Sequence, residues 1–259
     1  MFDSHCHLDA PEFDADRSQV LARARLAGVH TLVLPAIRAA DFHSLAAFCA
    51  QGSGLAFALG LHPICLLEHL PAHLHQLELA LRDGIDGQRA AAVGECGLDY
   101  FLLELDPAMQ MQYFEAQLRF AREFELPIIV HARRAHDAVL HGLRRFGIRK
   151  GVVHSFAGSE AQAQALFKMG IHIGIGGPIT YPRAQRLRRI VANMPIEYLL
   201  LETDAPDQPL LGRQGQRNEP AYLSEVASCI AQLRDQSLDS LIQATDANAR
   251  ALFQCGRAH

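Results

Sequence analysis

Histidine and carboxylate side chains occur along this chain in positions that suggest one shared site. His5 and His7 stand two residues apart, and other residues of these types end short apolar runs. The full set is His5, His7, His62, Glu95, His131, His154 and Asp204. Imidazole nitrogens and carboxylate oxygens are the ligands that hold zinc and similar divalent ions. Because bare polar groups are costly to bury, a metal site explains this set better than separate hydrogen-bonded core residues.

Short runs rich in apolar and β-branched residues alternate with stretches of helical period along most of the chain. The strand candidates are residues 1–7, 31–36, 55–61, 91–95, 127–131, 151–154, 171–176 and 198–204. Eight such units predict a parallel sheet that closes into a (β/α)8 barrel, the TIM-barrel fold. An open doubly wound sheet is the alternative, but no G-x-G-x-x-G motif follows the first strand.

Helix signals lie between the strand candidates. Asp106 can cap a helix that begins at Pro107, and Ser159 can cap another over residues 161–169. From Tyr222 onward the pattern predicts two further helices packed outside the barrel. We therefore expect the whole chain of 259 residues to form a single domain.

The candidate ligands fall at the carboxyl ends of the predicted strands, which form one rim in a barrel of this type and carry its active site. Residues two apart on a strand share a face, so His5 and His7 can meet while Cys6 points away. Six of these residues, four histidines and two carboxylates, suit two ions that share a bridging carboxylate, which is a recurrent hydrolytic arrangement. Glu95 is the carboxylate that lies centrally in the strand order.

The chain contains only two lysines, Lys150 and Lys168, and neither falls at the carboxyl end of a strand. This argues against a Schiff-base mechanism and against a modified lysine as the bridge between metals. The bridge must then be a carboxylate, which again selects Glu95. Two divalent cations bound by two carboxylates would leave the site with about two positive charges. A positively charged site favours an anionic substrate such as a phosphate ester.

Composition narrows the class of protein. The 259 residues are 49% hydrophobic and 20% charged, as in ordinary globular proteins. A net charge of −4 opposes heavy non-specific adsorption to nucleic acid but permits a local basic patch.

The six cysteines form no C-x-x-C pair, which indicates reduced thiols. With no apolar run long enough for a membrane span and no signal-peptide pattern, we expect a cytoplasmic protein without a membrane partner.

Short motifs surround the candidate ligands. They are D-S-H-C-H-L-D from Asp3, G-L-H-P from Gly60, G-E-C-G-L-D-Y from Gly94, L-P-I-I-V-H-A-R from Leu126, V-V-H-S-F-A-G-S from Val152, G-G-P-I-T ending at Thr180, and L-L-L-E-T-D-A-P from Leu199. Together they resemble the TatD family of metal-dependent deoxyribonucleases over nearly the whole chain. R-R-A-H-D from Arg133, T-Y-P-R-A from Thr180 and R-Q-G-Q from Arg213 are most similar to the YjjV-like branch of that family.

The resemblance implies a barrel of the amidohydrolase superfamily, two divalent metal ions and, in some members, 3′ to 5′ exonuclease activity. It assigns one ion to His5, His7, Glu95 and Asp204 and the other to Glu95, His131 and His154. The ions are Zn, Mn or Mg, with the identity left open. Cys96 stands where isoleucine or threonine is expected, but its side chain should point away from the metals, so the ligand assignment stands.

Two residues are assigned to substrate binding, His62 and Arg133. Arg133 lies two residues after His131 on the predicted strand, so its guanidinium can pair with phosphate oxygens along the rim. The alternative role for Arg133 is an ion pair with Asp137.

Two polar stretches are expected on the surface. Residues 183–189 carry four arginines in the run R-A-Q-R-L-R-R, which is typical of a solvated helix face, with contact to nucleic acid as the alternative. His69, His73 and His75 are expected at the surface because their spacing matches no closed set of metal ligands.

The sequence therefore predicts a metal-dependent hydrolase of phosphodiester bonds, specifically a DNase, with DNA or another phosphodiester as its partner. Two metals activate a water, Glu95 bridges them, and Asp204 accepts or orients the proton of that water. The chief alternative is a small-molecule amidohydrolase or an ester hydrolase, including one that deacylates aminoacyl-tRNA. A metal-holding binding protein without turnover is a third possibility.

Overall fold

Eight parallel strands form the centre of the computed structural model, which describes residues 1–254. They are β1 (Phe2–Asp3), β2 (Thr31–Pro35), β3 (Leu55–Leu59), β4 (Ala92–Asp99), β5 (Ile128–Arg133), β6 (Gly151–Val153), β7 (Ile171–Ile175) and β8 (Leu199–Leu201). Each strand pairs with the next strand of the chain. The Ser4 N–H donates to the Leu201 carbonyl at 2.9 Å and so joins the two ends of the sheet. The predicted (β/α)8 barrel is confirmed.

Helices cover the outside of this barrel and connect its strands. Within residues 1–254 they are α1 (Arg17–Leu26), α2 (Phe42–Ala50), α3 (Pro71–Asp83), α4 (Pro107–Glu123), α5 (His136–Arg145), α6 (Glu160–Phe167), α7 (Gln185–Asn193), α8 (Leu223–Leu233) and α9 (Leu238–Phe253). Each of α1 to α7 follows the strand of the same number, which is the arrangement that parallel neighbours require.

The predicted helix starts at Asp106 and Ser159 are confirmed. The Asp106 carboxylate accepts the N–H of Ala108 at 2.9 Å, and the Ser159 hydroxyl caps α6 in the same way. The end predicted for α6 at residue 169 is wrong, since the helix stops at Phe167. The Met169 N–H bonds to the carbonyl three residues before it, which is a tighter turn than an α-helix makes.

The first strand is shorter than the predicted 1–7, because β1 pairs with β2 over only 2 residues. Beyond β1 the chain bonds instead to the segment that follows β8. The His7 N–H donates to the Ala205 carbonyl at 2.8 Å, and the His5 carbonyl accepts the N–H of Asp204 at 2.9 Å. His5 and His7 therefore lie just after β1, still at the carboxyl end of the barrel.

The fourth strand is longer than the predicted 91–95, since it continues to Asp99. Its pairing with β5 shifts register between Val93 and Cys96 and then resumes. Such a bulge redirects side chains locally, and Glu95 lies within it. The longer strand also brings Asp99 to the same end of the barrel as Glu95.

The amino-terminal end of the barrel is filled with apolar side chains. Phe2, Val33, Ala58, Ala92, Ile129, Val152 and Leu200 form a buried cluster there with Ala249, Leu252 and Phe253. The last three residues belong to the final turn of α9, and the rings of Phe2 and Phe253 stack with centroids 5.9 Å apart. The end of α9 thus closes this side of the barrel and leaves the carboxyl side for polar residues.

Two further expectations concern cysteines and membranes. Cys6, Cys49, Cys65, Cys96 and Cys229 are free thiols, while Cys255 lies outside the described residues. Among residues 1–254, no helix combines the length and the apolar character that crossing a membrane requires.

Candidate metal centre and substrate cleft

The Glu95 carboxylate lies at the carboxyl end of the barrel with five imidazole rings around it. Its side chain is nearly inaccessible to solvent, since Glu95 is 1% exposed. Glu95 Oε1 lies 2.7 Å from a ring nitrogen of His154, 2.9 Å from one of His62 and 3.3 Å from one of His131. Glu95 Oε2 lies 3.1 Å from a ring nitrogen of His5 and 3.4 Å from one of His7. Asp204 Oδ1 lies 3.5 Å from His5 Nε2 and 3.8 Å from His7 Nε2. The structure therefore brings all the sequence-predicted ligands together.

The donor atoms fall into two sets on the two oxygens of Glu95. His5, His7 and Asp204 lie on the Oε2 side, and His131 and His154 lie on the Oε1 side. Within each set, ring nitrogens face one another, at 3.2 Å for the pair His5 and His7 and 3.3 Å for His131 and His154. Nitrogens that converge in this way on a carboxylate fit a shared divalent cation.

Protons on the neighbouring imidazoles balance the charge of the Glu95 carboxylate. Burial alone would raise the pKa of Glu95, but the positive charge of His154 and the hydrogen bond from His131 help to hold that pKa well below its usual range. Burial lowers the pKa of the imidazoles, but the Glu95 anion outweighs it and raises the pKa to about 10 for His154 and about 9 for His7. Divalent cations bound here would replace those protons, so the residues present fit a metal centre.

Cys6 and Cys96 point away from the centre, as predicted. Cys6 is fully buried with Sγ 3.8 Å from the Ala205 carbonyl oxygen. Cys96 is also fully buried, with Sγ 3.7 Å from the Ile129 carbonyl oxygen. Burial raises the pKa of both thiols well above its ordinary value. Neither sulfur is therefore a thiolate ligand of the centre.

The hydrogen bonds of His62 fix which of its ring nitrogens carries the proton. Its Nδ1 accepts the N–H of Ile64 at 3.0 Å, so the ring proton lies on Nε2, which donates to Glu95 Oε1 at 2.9 Å. Burial lowers the pKa of His62 to about 4, which keeps the ring neutral. A nitrogen that carries a proton cannot bind a metal, and the geometry therefore makes His62 a hydrogen-bond donor facing the centre.

The expectation of a surface position for His69 is wrong. His69 is buried, and its Nε2 donates to the His62 carbonyl at 2.9 Å. Its ring also lies 5.4 Å from the Tyr113 ring of α4, a contact between distant parts of the chain. His73 is half-buried and His75 is exposed. His69 thus supports the backbone that carries His62.

Sequence reasoning missed two carboxylates that support the ligand histidines. Asp99 Oδ2 lies 3.1 Å from His131 Nε2, and this leaves His131 Nδ1 for the centre. Glu202 Oε1 lies 3.9 Å from His154 Nδ1, and that nitrogen has no hydrogen-bond partner within residues 1–254. Burial raises the pKa of Glu202 to about 8. Carboxylates behind metal-binding histidines fix the ring orientation and the tautomer.

A signal for each carboxylate was present in the sequence. Asp99 follows Glu95 by four residues, which is the same face of a strand by the period of two. Glu202 precedes Asp204 by two residues, in L-L-L-E-T-D. Gln208 was also missed, and its amide nitrogen donates to Asp204 Oδ2 at 2.5 Å. That bond leaves Asp204 Oδ1 turned toward His5.

A cavity of about 1130 Å³ opens above the centre. Arg133 lines it, and its guanidinium lies 3.7 Å from the centroid of the Phe101 ring and 4.0 Å from Asp99 Oδ2. The alternative ion pair with Asp137 is not formed, since that carboxylate accepts a hydrogen bond from Gln162 instead. Arg133 is therefore placed beside the centre with its charge facing the cavity.

The arginine run at 183–189 does not lie wholly on a solvated face. Arg186 lines the cavity and donates to the Ala157 carbonyl at 2.8 Å. The Arg188 guanidinium donates a hydrogen bond to the Ile179 carbonyl at 2.7 Å, away from the cavity lining. One arginine of this run thus reaches the cavity above the centre.

Comparisons with known proteins agree with this geometry. The family model of the TatD related DNases matches residues 2–254. The metal-dependent hydrolase YjjV of Escherichia coli is 42% identical over 97% of this chain and 96% of its own length. A 3′-5′ ssDNA/RNA exonuclease, TatD of Klebsiella pneumoniae, is 35% identical over 98% of this chain and 97% of its own. The crystal structure of Escherichia coli YjjV superposes with a TM-score of 0.95, at 41% identity, over 99% of this chain and 98% of that one.

Replacing Glu95 by Gln tests the centre directly. The change keeps the size of the side chain but removes the negative charge shared by both donor sets, so divalent-metal affinity should fall by at least ~100-fold. Metal per chain, measured by mass spectrometry after dialysis, checks this. Glu12→Gln, an exposed carboxylate at the edge of the same cavity, is the matched control and should keep its metal. Full metal content in Glu95→Gln would contradict the role of Glu95.

Proposed function

The chain belongs to the TatD related DNase family of metal-dependent hydrolases, and on that premise we propose that it is a cytoplasmic 3′ to 5′ exonuclease acting on single-stranded DNA. The observation that carries the proposal is the carboxylate-centred donor set beneath a large cavity with arginines on its wall. Its relative in Klebsiella pneumoniae is named for activity on both single-stranded DNA and RNA. We place DNA first.

We propose that the centre holds two divalent ions, Zn, Mn or Mg. His5, His7, Asp204 and Glu95 would hold one, and Glu95, His131 and His154 would hold the other. Such ions, when bound, lower the pKa of water and neutralise charge that develops on a phosphate. Glu95 is the bridge, since each of its oxygens faces one donor set. The hydrogen bond between Asp99 and His131 Nε2 leaves His131 Nδ1 turned toward the centre, and Glu202 lies 3.9 Å from His154 Nδ1.

Asp204 accepts the proton of the attacking water. One of its oxygens is fixed by the amide of Gln208 at 2.5 Å, and the other faces the centre. A base held in one orientation loses little entropy when it takes the proton. Asp204 is therefore both a ligand and the proton acceptor.

His62 and Arg133 bind the substrate phosphate. The Nε2–H of His62 points into the centre, where it can donate to a phosphate oxygen in place of Glu95. The guanidinium of Arg133 offers two parallel donors to the same group, which suits phosphate better than a neutral carbonyl. Both side chains stabilise negative charge that grows during the reaction.

The alternative substrates are amides or carboxylic esters, including aminoacyl-tRNA. The dimensions of the cavity favour a longer substrate, because its volume of about 1130 Å³ exceeds the ~300–1,000 Å³ typical of small-molecule pockets. Its arginines favour an anion over a neutral amide.

A substrate panel tests the proposed function. We expect the metal-loaded enzyme to shorten a 5′-labelled single-stranded oligonucleotide one nucleotide at a time from its 3′ end. The same preparation is tested on RNA, aminoacyl-tRNA, simple amides and simple esters. Faster turnover of a carbonyl substrate than of DNA, measured as kcat/KM, would overturn the nuclease assignment. Binding of DNA without any turnover would instead support a binding protein.

Asp204→Asn should slow hydrolysis by at least ~100-fold, the lower range for loss of a general base. The substitution keeps the size of the side chain and removes its charge and its capacity to accept a proton. Asp207→Asn is the matched control, because Asp207 is an exposed carboxylate three residues away. Single-turnover rates and thermal unfolding are measured for both variants. A near-wild-type rate in Asp204→Asn would show that another group accepts the proton.

A further inference from the structure

The charged side chains that line the cavity are not evenly distributed. One side, here called the basic wall, consists of Arg133, Arg134, His136 and Arg186. Cavity-lining residues between 132 and 186 include no carboxylate. The opposite side carries Asp9, Glu12 and Asp41 together with Arg17 and Arg38. A polyanion would therefore be drawn to the basic wall.

The arginines of the two sides also differ in their partners. On the opposite side, Arg17 pairs with Asp14 at 2.6 Å and Arg38 with Asp41 at 3.0 Å. In the part of the chain that the structure describes, neither Arg134 nor Arg186 has a carboxylate within 4.0 Å. The charges of Arg134 and Arg186 are therefore not neutralised by the protein itself.

Packing holds the side chains of the basic wall in place. The guanidinium carbons of Arg133 and Arg134 lie 3.7 Å and 4.7 Å from the centroid of the Phe101 ring, which is 41% exposed. The Ala157 carbonyl fixes Arg186. His136 packs against Phe156 at 5.2 Å, and its buried Nε2 has no hydrogen-bond partner within residues 1–254. Arginines oriented by these contacts and an unpartnered ring nitrogen line the same cavity, where they can bind an oxyanion.

The wall begins next to the metal centre. Arg133 follows His131 by two residues on β5, and Arg134 is the next residue. A second phosphate of the same strand can reach the wall while the first lies at the centre, because successive phosphates are joined by a single nucleoside.

We propose that Arg134, His136 and Arg186 of the basic wall bind the phosphate on the 5′ side of the scissile phosphate, while Arg133 faces the scissile phosphate itself, so that efficient hydrolysis requires two successive phosphates. This inference rests on the proposed nuclease function and names the part of the substrate that the enzyme recognises. A dinucleotide with a 5′-phosphate, pNpN, offers both phosphates, whereas the dinucleoside monophosphate NpN offers only one. Digestion of a 5′-hydroxyl oligonucleotide should therefore slow sharply when NpN remains.

The test compares kcat/KM for pNpN and NpN with the metal-loaded enzyme. We expect pNpN to be preferred by at least ~10-fold, the value of one hydrogen-bonded contact to a charged group. Arg134→Gln and Arg186→Gln should each reduce kcat/KM for pNpN by about 10-fold and leave NpN within about twofold. Arg186→Lys should restore part of the preference. Arg38→Gln, an ion-paired arginine on the opposite side, is the matched control and should keep the preference.

A binding measurement separates charge recognition from a structural role. In the Asp204→Asn background, which slows hydrolysis, the salt dependence of oligonucleotide affinity should weaken by about 0.7 in log–log slope for each arginine removed. Unchanged slopes, or equal losses on pNpN and NpN, would overturn the inference. Equal hydrolysis of pNpN and NpN by the wild type would overturn it while leaving the nuclease function intact. Hydrolysis of neither dinucleotide nor of any oligonucleotide would instead reject the nuclease function.

Discussion

The buried Glu95 carboxylate, surrounded by five imidazoles, is the interaction on which the rest of the structure depends. An isolated anion at 1% exposure would be strongly destabilising, and an isolated cluster of histidines would lose its protons. Together they stabilise each other's charge, because His154 helps to hold the pKa of Glu95 low and Glu95 raises the pKa of His154 to about 10. Such a balance requires all the groups in place at once. It also leaves donor atoms that a divalent cation can take over from protons.

The barrel meets this requirement through contacts outside the centre. The β4 bulge places Glu95, while Asp99 fixes the tautomer of His131 by bonding to its Nε2. The segment after β1 bonds to the segment after β8, which brings His5 beside Asp204. At the other end of the barrel, α9 fills the opening with apolar side chains. A (β/α)8 barrel commonly separates stability from chemistry in this way.

Sequence reasoning found the groups that do chemistry more readily than the groups that support them. The H-x-H pair at His5 and the single polar residues that follow apolar runs can be recognised from short stretches of sequence. The apolar runs themselves predict the strands of the barrel. Asp99 was missed because the strand was predicted to end at Glu95, whereas its pairing with β5 resumes after the bulge and continues to Asp99. The burial of His69 depends on its contact with Tyr113, which is distant in the chain. The protonation of His62 follows from a backbone bond that only three-dimensional geometry reveals.

Anomalous diffraction from crystals of the manganese-loaded or zinc-loaded protein tests most directly the claim that Glu95 joins two cation sites. Two anomalous peaks should then appear on opposite sides of the Glu95 carboxylate. One should lie among His5, His7 and Asp204, and the other between His131 and His154. The proton-bearing Nε2 of His62 should contact neither ion. A single peak, or ions that leave the Glu95 oxygens unliganded, would contradict the claim.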